Sequence, residues 1–223
     1  MASTKRLIIA IDGPSGAGKG TVSRTLSQSL GYRHVDTGAM YRAVGWKAAH
    51  DGIPFEDEAR VAALARAADI VVEGGVVMIE GHDITAAIRT PEIDKAASAV
   101  ARLPAVRQIL VERQRALGEG GGVVMEGRDI GTVVFPSADV KVYLDASAEE
   151  RARRRLHDTA HTASQAGQAA VAESIAARDR ADTTRTASPL TLAPDAVLID
   201  TTDMPIPQVV ARVMALVRDR LEA

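Results

Sequence analysis

Near the start of the chain, Gly13-Pro14-Ser15-Gly16-Ala17-Gly18-Lys19 sets three glycines and a lysine at a spacing that can hold phosphate. A glycine, four residues and then Gly-Lys lets backbone N–H groups converge on phosphate oxygens, and the lysine adds a mobile positive charge. Gly20 and Thr21 follow, so the hydroxyl that usually stands directly after the lysine arrives one place late. That departure argues against a guanine-nucleotide switch, as does the lack of an Asn-Lys-x-Asp run. The expected donor loop is therefore Gly13, Pro14, Ser15, Gly16, Ala17, Gly18, Lys19, Gly20 and Thr21.

Three further clusters carry charge at useful places. Asp36-Thr37-Gly38-Ala39-Met40-Tyr41-Arg42 reads as a helix start, with Tyr41 and Arg42 one turn in and able to reach an anion at its beginning. An ordinary capped helix with a surface arginine satisfies the same residues. Glu126-Gly127-Arg128-Asp129-Ile130-Gly131-Thr132 follows an apolar strand signal, where ligands of open α/β sheets bind. An exposed turn with its own Arg–Asp pair is the plainer alternative. Arg151, Arg153, Arg154 and Arg155 precede a stretch without apolar period, Asp158 to Ala170, and Arg178, Arg180 and Arg185 follow it. Arginines flanking such a segment suit a closing lid that clamps phosphates, although a charged helix face is the common meaning of such a run.

These clusters need elements to hold them. Leu7 to Ile11 reads as a buried strand and Lys19 to Leu30 as a helix with Val22, Leu26 and Leu30 on one face. Gly122 to Met125, Val140 to Leu144 and Val197 to Ile199 are further buried strands, and Tyr32 to Val35 is a short extended piece. Helical patterns cover Pro104 to Leu117, Ala148 to Leu156 and Ile206 to Leu221. The last shows one apolar face of Ile206, Val209, Val210, Val213, Leu216, Val217 and Leu221. Short strands alternating with helices predict a parallel sheet covered on both sides. Ile70 to Glu73 and Val76 to Glu80, joined by Gly74-Gly75, break the rhythm as an inserted β-hairpin.

Bulk composition narrows the classes. The 223 residues, with a formal net charge of -2, give no basic footprint for nucleic acid or anionic membrane. No cysteine is present, which excludes disulfides, thiolate nucleophiles and cysteine-based zinc sites and fits a reducing cytoplasm. No apolar run is long enough to cross a bilayer, and Met1 to Arg6 lacks the apolar stretch of a secretory signal. His34, His50, His82, His157 and His161 lack ligand spacing and read as structural or surface residues.

Together the clusters resemble the bacterial cytidylate kinases (CMP/dCMP kinases, type 1 subfamily) among the P-loop nucleoside monophosphate kinases. The likeness runs from Ile11-Asp12-Gly13 through Thr21 and Asp36 through Arg42 to Ile88-Arg89-Thr90-Pro91-Glu92. It continues in Gly127-Arg128-Asp129-Ile130-Gly131-Thr132-Val133-Val134-Phe135-Pro136 and in Arg178-Asp179-Arg180 up to Arg185. The resemblance implies a three-layer α/β P-loop fold in one domain: a core of 1–45, 97–155 and 186–223, a monophosphate-binding insert at about 46–96, and a mobile lid at about 156–172. It implies ATP as donor, magnesium with no side chain assigned to it, and CMP or dCMP as acceptor. It implies a cytoplasmic monomer as well. By the same resemblance, Thr37, Tyr41, Arg42, Arg128 and Arg185 surround the acceptor's phosphate, Ser98, Arg107 and Asp129 read cytosine, and Arg178 and Asp182 reach the sugar. Lys19, Arg128, Arg154, Arg155 and Arg185 are the expected catalytic charges. AMP, UMP or a small-molecule alcohol on the same fold is the nearest rival acceptor. Asp129 with Arg107 favours cytosine over these, the carboxylate accepting from cytosine's exocyclic amine where uracil offers an oxygen and the arginine donating to ring O2 and N3.

Overall fold

Strand β1 (Ile8–Asp12) enters the molecule as an unbroken apolar run, and its alternation decides which layer each side chain joins. The computed structural model describes residues 6–158 and 167–222. Ile9 and Ile11 point into one layer with Val22, Leu26 and Val213, while Ala10 joins Val111, Met125 and Ile130 in the other. Helix α1 (Lys19–Leu30) follows, then β2 (Arg33–Asp36) and α2 (Thr37–His50). Further along come α5 (Pro104–Leu117), β6 (Val123–Glu126), β7 (Val140–Asp145), α6 (Ala148–Leu156), α7 (Gln168–Thr184), β8 (Val197–Asp200) and α8 (Ile206–Glu222).

The five core strands lie in the order β2-β6-β1-β7-β8, and every neighbouring pair is parallel. β1 is central, with Ile9 level with Val124 on β6 and with Val140 on β7. The loop that leaves its carboxyl end therefore emerges between two strands that continue on either side. Helix α8 packs through Val209, Val213 and Val217, each fully buried, whereas Leu221 is 41% exposed. The apolar face expected there is thus narrower and stops one turn early.

Between α2 and α5 lie α3 (Glu58–Ala67), β3 (Ile70–Glu73), β4 (Val76–Ile79), β5 (His82–Asp83) and α4 (Pro91–Val100). The hairpin forms as expected, with Glu73 opposite Val76 and the turn glycines at φ 59 and 87. Both signs are positive, as a two-residue hairpin turn with the sheet's twist requires. A third strand, β5, completes the small sheet. Residues 46 and 96, the expected limits of the insert, fall inside α2 and α4. Of the expected lid, residues 159–166, His161 among them, lie outside the described residues. Gln168 to Ala170 already belong to α7, so helix replaces the unpatterned chain expected there.

Candidate active site

The phosphate loop is the turn from β1 into α1. Gly13 has φ 144, and a Cβ there would stand 2.0 Å from the carbonyl oxygen of Leu144, so the loop rests directly on the β7 backbone. Gly18 caps α1 in the left-handed conformation without any side-chain hydrogen bond, and no acidic residue stands in the first turn. The open N–H groups and the positive end of the helix dipole are thus left for an anion. Lys19 is buried and its Nζ donates to the Pro14 carbonyl at 2.7 Å. Burial first, then the neighbouring Arg128, holds its amine well below the usual lysine pKa.

Helix α6 clasps this loop. Arg151 is buried and donates to the carbonyls of Ala146 and Ser15, while also pairing with Asp179 on α7. Arg155 reaches the Ser15 hydroxyl at 2.9 Å. Arg154 donates to the Thr201 hydroxyl at 2.9 Å and to its carbonyl at 2.6 Å, and Thr201 in turn reaches the Ala17 carbonyl at 3.3 Å. Arg153 is exposed and pairs with Glu150. The arginine-rich turn therefore divides: Arg151 is a structural clasp, while Arg154, Arg155 and the more exposed Arg153 line a cavity of about 750 Å³. Ser15, Gly16, Gly18, Lys19, Gly20 and Thr21 line the same cavity, while Gly13, Pro14 and Ala17 shape the loop without facing it.

A second, smaller space of about 40 Å³ opens beside it, among α2, α4, α5 and the turn after β6. Thr37, Tyr41, Ser98, Arg107, Arg128, Asp129, Arg178, Asp182 and Arg185 line it. Nine of the ten residues expected on the acceptor thus meet at one pocket; Arg42 faces the larger cavity instead. Asp129 does not pair with its neighbour Arg128. The Arg107 Nη2 donates to it, and Arg128 Nε donates to Asp182 at 2.8 Å. Burial raises the Asp182 carboxyl, but Arg128, Arg178 and Arg185 outweigh it and hold it below the ordinary carboxylate range. Burial pushes the Tyr41 hydroxyl up to about 12 and holds Arg178 down to about 10. Arg107 lies over the Tyr41 ring, 5.4 Å from its centroid. Among the described residues, Nε of Arg107, Nε of Arg178 and Nη2 of Arg185 are buried donors without an acceptor. Such donors are costly in a closed protein and natural where a ligand brings oxygens or ring nitrogens.

Two local devices shape this pocket. The Thr37 hydroxyl donates to the Glu126 carbonyl at 2.7 Å, pinning the start of α2 to the end of β6. A Cβ at Gly127 would stand 2.7 Å from that hydroxyl oxygen, so only glycine fits between them. The other device was not legible in the sequence. Residues Ile130–Val134 form a single π-helical turn, and Asp12 caps its start by accepting from Ile130 N at 2.8 Å and Gly131 N at 2.7 Å. π-turns concentrate at functional sites. Burial pushes the Asp12 carboxyl up to about 6 against the pull of those two N–H groups.

Six other contributors were not assigned to the site from the sequence. Asp94 on α4 joins Arg42 and Arg178. His34, read as structural or surface, lines the large cavity and meets Glu126 at 2.8 Å. Thr201 carries Arg154, and Met204, Pro205 and Ile206 form an apolar wall near the phosphate loop. None carries a local signal, since each is placed by strands or helices distant in sequence.

No helix among the described residues is long and apolar enough to cross a membrane. The chain overlaps in fold with a shikimate kinase from Acinetobacter baumannii solved with shikimate, at a TM-score of 0.51 and 14% identity over 97% of this chain and 95% of that one. It is 51% identical to a cytidylate kinase of Pelotomaculum thermopropionicum across 94% of this chain and 95% of the relative. It is 46% identical to a cytidylate kinase of Solibacter usitatus across 99% and 97% of the two chains. Residues 9–219 match the family model described as cytidylate kinase, and the chain belongs to the cytidylate kinase family.

Proposed function

We propose that the protein transfers the γ-phosphoryl group of ATP to CMP or dCMP, releasing ADP and CDP or dCDP. The observation that carries the choice of acceptor is the buried Arg107–Asp129 pair in the small pocket, bordered by unmatched guanidinium N–H groups and sharing Arg128 and Arg178 with the cavity at the phosphate loop. Asp129 can accept from cytosine's exocyclic amine while the free Arg107 Nε donates to ring O2 or N3, and Ser98 lines the same pocket. Arg128, Arg185, Thr37 and Tyr41 are assigned to the acceptor's phosphate together with Arg42, and Arg178 and Asp182 to the sugar. The apolar wall of Met204, Pro205 and Ile206 suits the donor's purine.

The attacking phosphate oxygen is already anionic, so the chain need supply no general base. What it supplies is position and charge: the loop from Gly13 to Thr21 seats the donor, while Lys19, Arg128, Arg154, Arg155 and Arg185 neutralise the transferring group. Glu126 is the carboxylate beside Gly20, 3.5 Å from where a Cβ there would stand, and it fits a magnesium ion carried in on the ATP phosphates. That ion, when bound, spreads the phosphate charge. The segment at 156–172 serves as the lid and 46–96 as the acceptor-binding insert. The protein acts as a monomer on small nucleotides, without a nucleic-acid partner.

A coupled ADP-release assay with magnesium-ATP and each of CMP, dCMP, UMP, AMP and GMP tests the assignment. Turnover is expected to be strongest with CMP and dCMP. Preferred turnover of AMP or GMP, or none with any monophosphate, would overturn the cytosine reading.

A further inference from the structure

Asp94 sits in the first turn of α4, and one of its oxygens serves two arginines from different helices. Its Oδ1 accepts from Nε of Arg42 on α2 at 3.0 Å and from Nη1 of Arg178 on α7 at 2.9 Å. The three side chains are shielded to a similar degree, at 16% exposure for Asp94, 17% for Arg42 and 15% for Arg178. Both arginines line the large cavity, where Arg128 and Arg155 also converge. Four guanidinium groups in one region repel, and the field of Arg128 and Arg42 adds to burial in depressing Arg178. Asp94 is the leading influence in the opposite direction.

A carboxylate and a phosphate offer arginine the same kind of charged oxygen. Here a carboxylate of the chain itself occupies the position between two arginines that a phosphate oxygen would take. We infer that Asp94 is an internal counter-anion of the acceptor-phosphate subsite, holding Arg42 and Arg178 together in the empty enzyme and competing for them with the acceptor's phosphate. The inference rests on the phosphate assignment made above for Arg42, and it extends a phosphate contact to Arg178, which was assigned above to the sugar. Asp94 is thus a positioning residue that sets the affinity for the acceptor without touching the transferred group.

Two effects of removing its charge oppose each other. The cradle gains one net positive charge close to the incoming phosphate, which tightens binding at short range and intermediate dielectric. The two arginines lose their tether and must be ordered by the ligand, which weakens it. A dianionic phosphate with several oxygens can tether both arginines itself, so the charge effect prevails. Asp94→Asn, which keeps the shape, is expected to bind CMP roughly tenfold more tightly, about 1.4 kcal/mol.

Isothermal titration on the full chain separates the possibilities. Wild type and Asp94→Asn are titrated with CMP, with cytidine, and with inorganic phosphate after saturation with ADP, which blocks the donor loop. The expected result is tighter CMP, unchanged cytidine and tighter phosphate in the variant, with a lower melting temperature in anion-free buffer. Equal or weaker binding of CMP by the variant, in an enzyme whose wild type binds CMP, overturns the inference and leaves the acceptor assignment standing. If wild type fails to bind CMP, the acceptor assignment falls, and the phosphate titration alone decides the role of Asp94: tighter binding upholds it, equal or weaker binding overturns it. Asp94→Ser, smaller and also neutral, is the second variant should the asparagine form unfold, with the same expected direction.

Discussion

Replacing Asp129 with asparagine exchanges a carboxylate oxygen for an amide NH₂ at nearly constant volume, and the pocket translates that exchange into base preference. Asp129 is 6% exposed, takes a hydrogen bond from Arg107, and has Nη2 of Arg185 at 3.7 Å from its other oxygen. In the Asp129→Asn variant the amide carbonyl can still accept from Arg107, so the NH₂ is left to face the ligand, and it donates where the wild type accepts. Cytosine's amine then meets a donor, whereas uracil's O4 meets a partner. Losing a charge-assisted hydrogen bond of ~1.5–3 kcal/mol lowers kcat/KM for CMP by roughly 10- to 150-fold. The UMP-to-CMP ratio should rise by at least the same factor. Arg107 and Arg185 also lose the anion between them, which costs about 1–3 kcal/mol of stability. In a chain of this size each kcal/mol lowers Tm by about 2–4 °C. The coupled assay with CMP, dCMP and UMP and a thermal melt on the same preparation read both effects. A lowered Tm with an unchanged UMP-to-CMP ratio would refute the reasoning, because Asp129 would then be a buried partner of Arg107 and nothing more.

Gly13→Ala is expected to destabilise the protein by ~3 kcal/mol or more and to abolish ATP binding, since its Cβ would stand 2.0 Å from the Leu144 carbonyl oxygen. Chemical unfolding and ADP titration check it, and near-native values for both would show that the loop can lift off β7. Asp12 makes a pH-dependent prediction. Its carboxyl sits at about 6 in the fold against 3.8 when free, so the folded form holds an extra proton between those values. Its contribution to stability is greatest below about 4 and is lost as pH rises toward 6. Comparing urea unfolding of wild type and Asp12→Asn from pH 4 to 7, the advantage of wild type should shrink with rising pH up to about 6 and stay flat above it. A difference that does not vary with pH contradicts the assignment.

The core strands and helices were legible because each carries its own pattern. β1 is an apolar run ended by Asp-Gly-Pro, and the helix after the glycine turn begins at Lys19 as its spacing predicts. The hairpin was legible from Gly74-Gly75, whereas β5, only His82–Asp83, is too short to leave any alternation. Helix α7 starts earlier than its composition implies because Val171 and Ile175 pack against Ala152 of α6, a tertiary contact that overrides a weak local pattern. Leu221 fits the apolar face of α8 by spacing but stays 41% exposed, one turn beyond Val217, the last buried residue of that face.

The site divides along the same line. Residues in contiguous motifs, such as Gly13 to Thr21 or Arg128 and Asp129, announce themselves by spacing. Their controllers do not. Asp12 acts across 118 residues on Ile130, and Asp94 acts across 84 residues on Arg178, so neither contact exists until the sheet has closed. Both are carboxylates that tie distant parts together: Asp12 ties the end of β1 to the turn carrying Asp129, while Asp94 ties α2 and α4 to α7. On the proposed assignment of the site, donor and acceptor geometry are thereby linked through one short connection. A disturbance at Asp12 should consequently register in base discrimination as well as in ATP binding, although Asp12 lines neither the large cavity nor the small pocket. Asp12→Asn that weakened ATP binding while leaving the UMP-to-CMP ratio untouched would show the two halves of the site to be independent.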